Sequence, residues 1–339
     1  MITPGIYKLD NYYNNLNYVF INTKNVQPTN LFKRGINELI ISLKLMNKAY
    51  KANYDYLYIG IPSIFNLFLA KKIKGIQLLD VRDLAWEYIK DDSLIKKIIK
   101  YTLRSLSKRK LNIFNIITCT NKAEYSYIEK RIYKNNQTSI YLLPNGISKD
   151  KFNALSKLNY RNEGELIFSY IGNISNAQNL KILLYTAKEF KNIKFYLAGD
   201  GRLLNKMTNL SKNLRLNNLN FLGRIDFEEI ICLYEKSDIL YAQLSKEFSC
   251  AIPSKLYEYL SSGKYIIFGG YGEALNLLKK FNNYSIIQPD STDELIKKIK
   301  ELCKSKKYVN ISKSNKKKIN DYYIREDLIK KFLDYYCIN

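Results

Sequence analysis

The sequence predicts an α/β protein built from two doubly wound domains with parallel sheets, and three observations lead there. Strand and helix signals alternate along nearly the whole chain, which is the pattern of a parallel sheet wrapped by helices. The strand-like runs are short, rich in Ile, Leu, Phe and Tyr, and in the second half most end in glycine or a polar residue, where an open α/β sheet places its ligand crevice. The length of 339 residues suits two domains, each with its own core, and the hydrophobic content of 46% fits a globular chain.

In the first half, strands are expected at "YDYLYIG" (54–60), "GIQLLDVRD" (75–83), "IFNIITCTN" (113–121) and "IYLLPNGI" (140–147). "SKDKFNALSKLNYRNEGE" (148–165) is polar and aperiodic, as an interdomain linker would be. The second half reads as strand "LIFSYIG" (166–172), helix, strand "IKFYLAGDG" (193–201), helix, strand "LNFLGRI" (219–225), helix, and strand "DILYAQL" (238–244). A helix over "PSKLYEYLSSG" (253–263), the strand "YIIFGG" (265–270) and a last helical stretch over 317–336 follow. The expected division is therefore 1–149 for a first domain, 150–165 for a linker, 166–316 for a second domain, and 317–339 for a helix packing back toward the first.

Composition narrows the chemistry. Histidine is absent, which excludes Ser-His-Asp triads, histidine bases and histidine metal sites. Five scattered cysteines without a CxxC pair suit reduced thiols better than a disulfide framework or a zinc site. No apolar run of membrane-spanning length and no signal-peptide pattern at the start point to a cytoplasmic protein. The net charge of +24 suggests an anionic partner, although a chain crowded with Lys, Asn, Ile and Tyr also reflects AT-rich codons. The charge gathers in "IKKIIKYTLRSLSKRK" (95–110), where a basic face alternates with apolar residues at helical spacing, so a peripheral contact with an anionic membrane stands beside an ordinary solvated helix. No nucleic-acid-binding signature accompanies it.

The start of the 253–263 helix carries the sharpest local signal. Pro253, Ser254 and Lys255 combine a capping hydroxyl, a cation and free backbone N–H groups, which can hold an anion, while Glu258 can accept from hydroxyls. The plainer reading is a surface helix with a Lys255–Glu258 pair. Arg82 and Asp83 follow the apolar strand "IQLL" at its carboxyl end and are candidate cleft residues, whereas Trp86, the only tryptophan, is best placed in the core.

Six ordered motifs, "LLPNGISKDKF", "SYIGNISNAQNL", "YLAGDGRL", "NFLGRI", "CLYEKSDILYAQL" and "PSKLYEYLSSGK", resemble the GT-B fold retaining glycosyltransferases of family 4 (glycosyl transferases group 1) over about residues 50–336. With "DVRDLAWEY" (80–88), the likeness is to the bacterial surface-polysaccharide type. The resemblance implies two Rossmann-like domains facing across a cleft, and transfer of a sugar from a nucleotide-diphosphate donor to a polyprenyl-linked or other glycan acceptor. It implies retention of configuration and no metal or other cofactor. It assigns Gly172 and Asn173 to backbone contacts with phosphate, Lys255, Ser254 and Arg224 to its charge, and Glu258 to the ribose hydroxyls. Gly199, Asp200 and Gly201 would shape the floor near the base, and Gln178 stands where many relatives have a lysine. The alternative for the glycines is tight turns, and for Arg224 a plain surface position. Cys250 stands where many relatives have a first glutamate, and the family's first βα unit has no counterpart before "MITPGIYK". These departures leave a non-catalytic GT-B scaffold as the alternative function.

Overall fold

The computed structural model describes residues 2–4, 19–21, 31–52, 54–61, 63–89, 91–133, 137–159 and 164–338. They fall into two compact units, 1–142 and 143–339.

In the first unit, β1 (Ile2–Pro4) and β2 (Val19–Ile21) pair in parallel and α1 (Leu31–Tyr50) follows. A four-stranded parallel sheet then runs in the order β3 (Tyr56–Ile61), β4 (Ile76–Val81), β5 (Ile116–Cys119), β6 (Ser139–Leu142). Its connections are α2 (Ile64–Leu69), α3 (Leu94–Leu111) and α4 (Lys122–Glu129). β4 and β5 are buried on both faces, which is why "IQLLDV" and "IITC" read as nearly continuous apolar runs. The helices start where the sequence places caps: Ser93 Oγ accepts from Lys96 N (3.3 Å) and Asn121 Oδ1 accepts from Glu124 N (3.0 Å). Trp86 lies in this core with Ile61, Leu67, Leu79 and Ile117. The expectation attached to the opening "MITPGIYK" falls on a segment that lies largely outside the described residues.

The second unit holds a six-stranded parallel sheet. In chain order its elements are α5 (Lys149–Ser156), β7 (Leu166–Ile171), α6 (Lys181–Glu189), β8 (Ile193–Ala198), α7 (Leu204–Asn213), β9 (Leu219–Gly223) and α8 (Phe227–Lys236). β10 (Ile239–Gln243), α9 (Lys255–Ser262), β11 (Tyr265–Gly269), α10 (Glu273–Leu278), β12 (Tyr284–Ile287), α11 (Thr292–Ser305), α12 (Lys313–Tyr322) and α13 (Arg325–Tyr335) complete it. The strand order β12-β11-β10-β7-β8-β9 reverses direction between β7 and β10, the switch point at which doubly wound sheets bind ligands. Alternate strand residues feed two cores: Ile171, Leu240 and Ile266 join Leu256 and Leu260 of α9 in one, and Phe168, Phe195 and Tyr241 join Leu183 and Ile299 in the other.

Two segments differ from expectation. The linker expected over 150–165 opens with α5, because Phe152, Leu155 and Leu158 form a buried stripe among polar neighbours, and the boundary between the units falls at 142/143. The single helix expected over 317–336 is two, broken where Ile147 pairs with Ile324 and its N–H donates to Tyr323 O (2.9 Å).

β10 and β7 pair only at Ile239–Phe168 and Leu240–Ser169, then part. The buried hydroxyl of Tyr259 fills the gap, accepting from Ile171 N (3.0 Å) and donating to Tyr241 O (3.0 Å). Tyr259→Phe leaves both main-chain groups unpaired in the core, so denaturant unfolding should show a loss of about 1–3 kcal/mol.

Candidate functional site

The second unit's site forms where β7, β8 and the start of α9 meet. Gly172, just past β7, has φ +144°, and a Cβ there would lie 2.5 Å from Lys255 Nζ. Gly199, just past β8, would put a Cβ 1.9 Å from Gly172 O. Both glycines therefore serve close approach as well as a turn, one of a side chain to the main chain and the other of two loops.

The Gly172 amide does not face a ligand as expected, and the amides of Gly199 and Gly201 are likewise bonded within the protein. Gly172 N donates to Ala198 O (2.8 Å), Gly199 N to Gly223 O (2.7 Å) and Gly201 N to Asp200 Oδ1 (2.6 Å). Ile174 N donates to Asp200 O (2.8 Å), so the 199–201 turn holds the first loop in place. The exposed Asn173 is one of the loop residues whose N–H finds no acceptor among the described residues. Ser254 also departs from expectation: its side chain makes no capping bond and its backbone is already helical, and with Leu256 N and Tyr257 N donating to Pro253 O and Ser254 O, the N–H groups without an acceptor among the described residues at this entry are those of Ser254 and Lys255.

Lys255 and Glu258 do not pair with each other. Lys255 Nζ donates to Tyr170 Oη (2.5 Å) and lies 3.8 Å from the centre of that ring, and Tyr170 Oη donates onward to Asn173 O (2.5 Å). Burial without a carboxylate partner pushes the ammonium down to about 7, with the Glu258 charge pulling the other way. Glu258 accepts from Lys151 Nζ of α5 (2.9 Å) and from the buried Tyr234 Oη (3.1 Å). Arg224, after β9, is exposed, and Pro253 O accepts from Leu256 N (3.0 Å) at the entry to α9.

Gln178 spends its side-chain oxygen on Ser175 Oγ (2.6 Å) within the loop. Its carbonyl accepts from Gln243 Nε2 (3.0 Å), whose second acceptor is Asp290 Oδ1 (2.9 Å). The buried Gln243 also accepts from Tyr241 Oη (2.8 Å) and Asp290 N (3.0 Å), tying the loop to the far side of the switch point. Tyr170, Lys151 and Gln243 were missed by sequence reasoning. Only Gln243, a polar residue ending an apolar strand, had a signal that could have found it.

In the first unit, Arg82 does not stand free. Its Nε donates to Asp80 (2.5 Å), a buried carboxylate that also accepts from Tyr58 Oη and from Thr118 Oγ1 (2.6 Å). Asp83 accepts from Tyr88 Oη (3.1 Å), and burial raises its affinity for a proton. The unforeseen member is Glu124 on α4. One oxygen accepts from Thr120 N (2.7 Å) and Thr120 Oγ1 (2.8 Å), and the other is buried with no partner among the described residues. Burial pushes this carboxyl up to about 7, the Thr120 bonds oppose that, and the Asp83 charge adds to it. Trp86 Nε1 donates to Tyr127 Oη (2.6 Å), which confirms it as a core residue.

Two units, each built on a parallel sheet, with Lys255 set at the switch point of the second, define the class: an α/β protein of the GT-B glycosyltransferase fold. Residues 152–319 match the sequence model of the family Glycosyl transferases group 1. Sucrose-phosphate synthase from Thermosynechococcus elongatus is similar in structure, with TM-score 0.74 and 16% identity over 94% of this chain and 82% of that one. HepE from Anabaena, solved with UDP and glucose, gives TM-score 0.67 and 14% identity over 94% and 86%. WaaG, a glycosyltransferase involved in lipopolysaccharide biosynthesis, gives 0.68 and 13% over 94% and 86%. No curated protein matches the sequence at a significant level.

The titration of Glu124 can be checked directly. Its carboxyl binds a proton more tightly folded than unfolded, so stability is expected to fall as pH rises from about 4.5 to about 7. Glu124→Gln should flatten that loss in thermal melts recorded between pH 5 and 8.

Proposed function

We propose that this protein is a retaining glycosyltransferase that moves a hexosyl or N-acetylhexosaminyl group from a nucleotide-diphosphate donor to a hydroxyl of a lipid-linked or cell-surface glycan. It would act in the cytoplasm at the inner face of the plasma membrane. The observation that carries the reading is Lys255, a desolvated cation without a carboxylate partner, held against Gly172 at the switch point of a family-matched domain. A diphosphate supplies the missing counter-charge.

Breaking a glycosyl–phosphate bond leaves negative charge on the diphosphate, and groups fixed in place beforehand stabilise it at little reorganisation cost. In this reading Lys255 does so together with the Asn173 N–H, the N–H groups of Ser254 and Lys255 that follow Pro253 at the entry to α9, and Arg224. Glu258 receives the ribose hydroxyls beside Lys151 and Tyr234. Gln178 and the 199–201 turn shape the base side. This chemistry asks for no metal, because protein cations and N–H dipoles meet the leaving charge. HepE, a structural neighbour, has been solved with UDP-glucose, which favours a nucleotide donor here. In the first unit Arg82 and Asp83 are assigned to the acceptor, Asp83 as the proton-accepting group and Arg82 as the cation oriented by Asp80. A peripheral contact of 95–110 with an anionic membrane belongs to the same reading. Among the described residues no helix is long and apolar enough to cross a membrane.

Melting curves with UDP, GDP, ADP, dTDP and their sugars test the reading. At least one nucleotide should raise Tm by several degrees at saturation, and no shift with any of them would leave the non-catalytic alternative. Glu258→Ala should weaken that nucleotide about tenfold or more. Lys255→Met should abolish its shift and still raise the melting temperature of the free protein, because the buried ammonium binds its proton more weakly folded than unfolded.

Binding should also take up a proton. Burial lowers the proton affinity of Lys255 to about 7, and a diphosphate beside it would raise that affinity again. Calorimetry at pH 8 in buffers of different ionisation enthalpy should show uptake approaching one proton, absent in Lys255→Met.

A further inference from the structure

Helix α3 turns its apolar residues outward. Leu94, Ile95, Ile98 and Tyr101 are 73%, 71%, 56% and 75% exposed, whereas Lys100 and Ser107 are buried. The polar groups turned toward the unit have partners that fix this orientation. Lys100 Nζ donates to Ile89 O (3.1 Å) and Asp91 (3.3 Å), and Lys110 Nζ donates to Ala70 O (2.7 Å). Arg104 grips Glu87 with Nε (2.8 Å) and a second bond from Nη2. Rotating the helix to hide the leucine and isoleucines would break all of these. The exposed stripe is thus a consequence of how α3 holds the 82–91 segment, and it leaves about two turns of large apolar side chains without cover.

Charge indicates what covers it. Lys97, Lys108 and Arg109 are exposed beside or beyond the stripe and make no ion pair among the described residues. In a chain of net charge +24, a second copy would bring like charges together, whereas anionic headgroups complement them. We infer that α3 lies on an anionic bilayer by its apolar stripe, with Leu94, Ile95, Ile98 and Tyr101 in the acyl boundary and Lys97, Lys108 and Arg109 over the headgroups. This inference rests on the membrane contact in the functional reading, and it changes the face that makes it: the cations Lys100 and Arg104 are committed to the 82–91 segment.

The test is co-sedimentation of the full chain with vesicles of phosphatidylcholine alone and with about 30% phosphatidylglycerol. Wild type should bind the anionic vesicles. The surface double variant Leu94→Ser/Ile98→Ser should bind at least about tenfold more weakly, with its melting curve and nucleotide shift unchanged. Lys108→Ser/Arg109→Ser should lose much of the preference for anionic vesicles and its salt dependence. If the apolar variant binds like wild type, the membrane contact stands and this inference falls. If wild type binds no vesicle, both fall, and the nucleotide shift still decides the transfer reading separately. A wild-type dimer that the apolar variant converts to monomer, without vesicle binding, overturns the inference in favour of a second copy.

Discussion

The second unit depends on the hydroxyl of Tyr259 standing between two strands. A parallel sheet that changes winding direction must open at the reversal, and opening exposes main-chain groups that cannot stay unpaired in a core. Tyr259 satisfies Ile171 N and Tyr241 O at once, so β7 and β10 can part without orphaned groups. The position of α9 follows from it. Lys255 lies four residues earlier on the same helix stripe, so anchoring Tyr259 against the sheet carries Lys255 to Tyr170 and Gly172. Glu258, a third of a turn away, points instead to Tyr234 and Lys151. Two adjacent charges that could have neutralised each other are separated by the anchoring of a neutral neighbour.

This separation has an energetic consequence. A lysine without a carboxylate partner and pressed on a tyrosine ring is a cost to the folded state, and so is a glycine at φ +144° whose conformation other residues rarely adopt. Local rules are broken together at one place, as they are at functional sites. The surrounding bonds hold the arrangement rigid: the 199–201 turn fixes the first loop from one side, and Gln243 with Asp290 fixes it from the other. Such a loop need not reorganise when an anion arrives, which is the condition under which a fixed cation stabilises developing charge.

Much of the fold was legible because parallel strands buried on both faces are spelled as unbroken apolar runs, and glycines mark their ends at 172, 199 and 223. The helix α5 was hidden, since three buried apolar residues among lysines and asparagines look like a polar linker until a core is there to receive them. In the site, residue types were legible and partners were not. The i,i+3 spacing of Lys255 and Glu258 permits a pair, and nothing local reveals that Tyr259 turns them apart. Arg82 was read as a candidate cleft residue, and its bond to Asp80, two residues earlier in the strand, was hidden because it is set by side-chain direction. The period of α3 gives two stripes and does not say which one faces the protein.

Glu124 escaped notice for a related reason: at the third position of a capped helix it reads as an ordinary capping residue. Burial makes it something else. One oxygen is satisfied by Thr120 while the other has no partner among the described residues, so the group holds a proton far more readily than a surface glutamate. The two units thus share a construction with opposite signs. In each, the carboxyl ends of parallel strands gather ionisable groups that lack a full counter-charge: carboxyls with raised proton affinity at β4 and β5, and an ammonium with lowered proton affinity beside β7. A buried network whose charges were all matched would bind little and change little with pH. These two are unmatched, one tending to take up a proton and the other to release one.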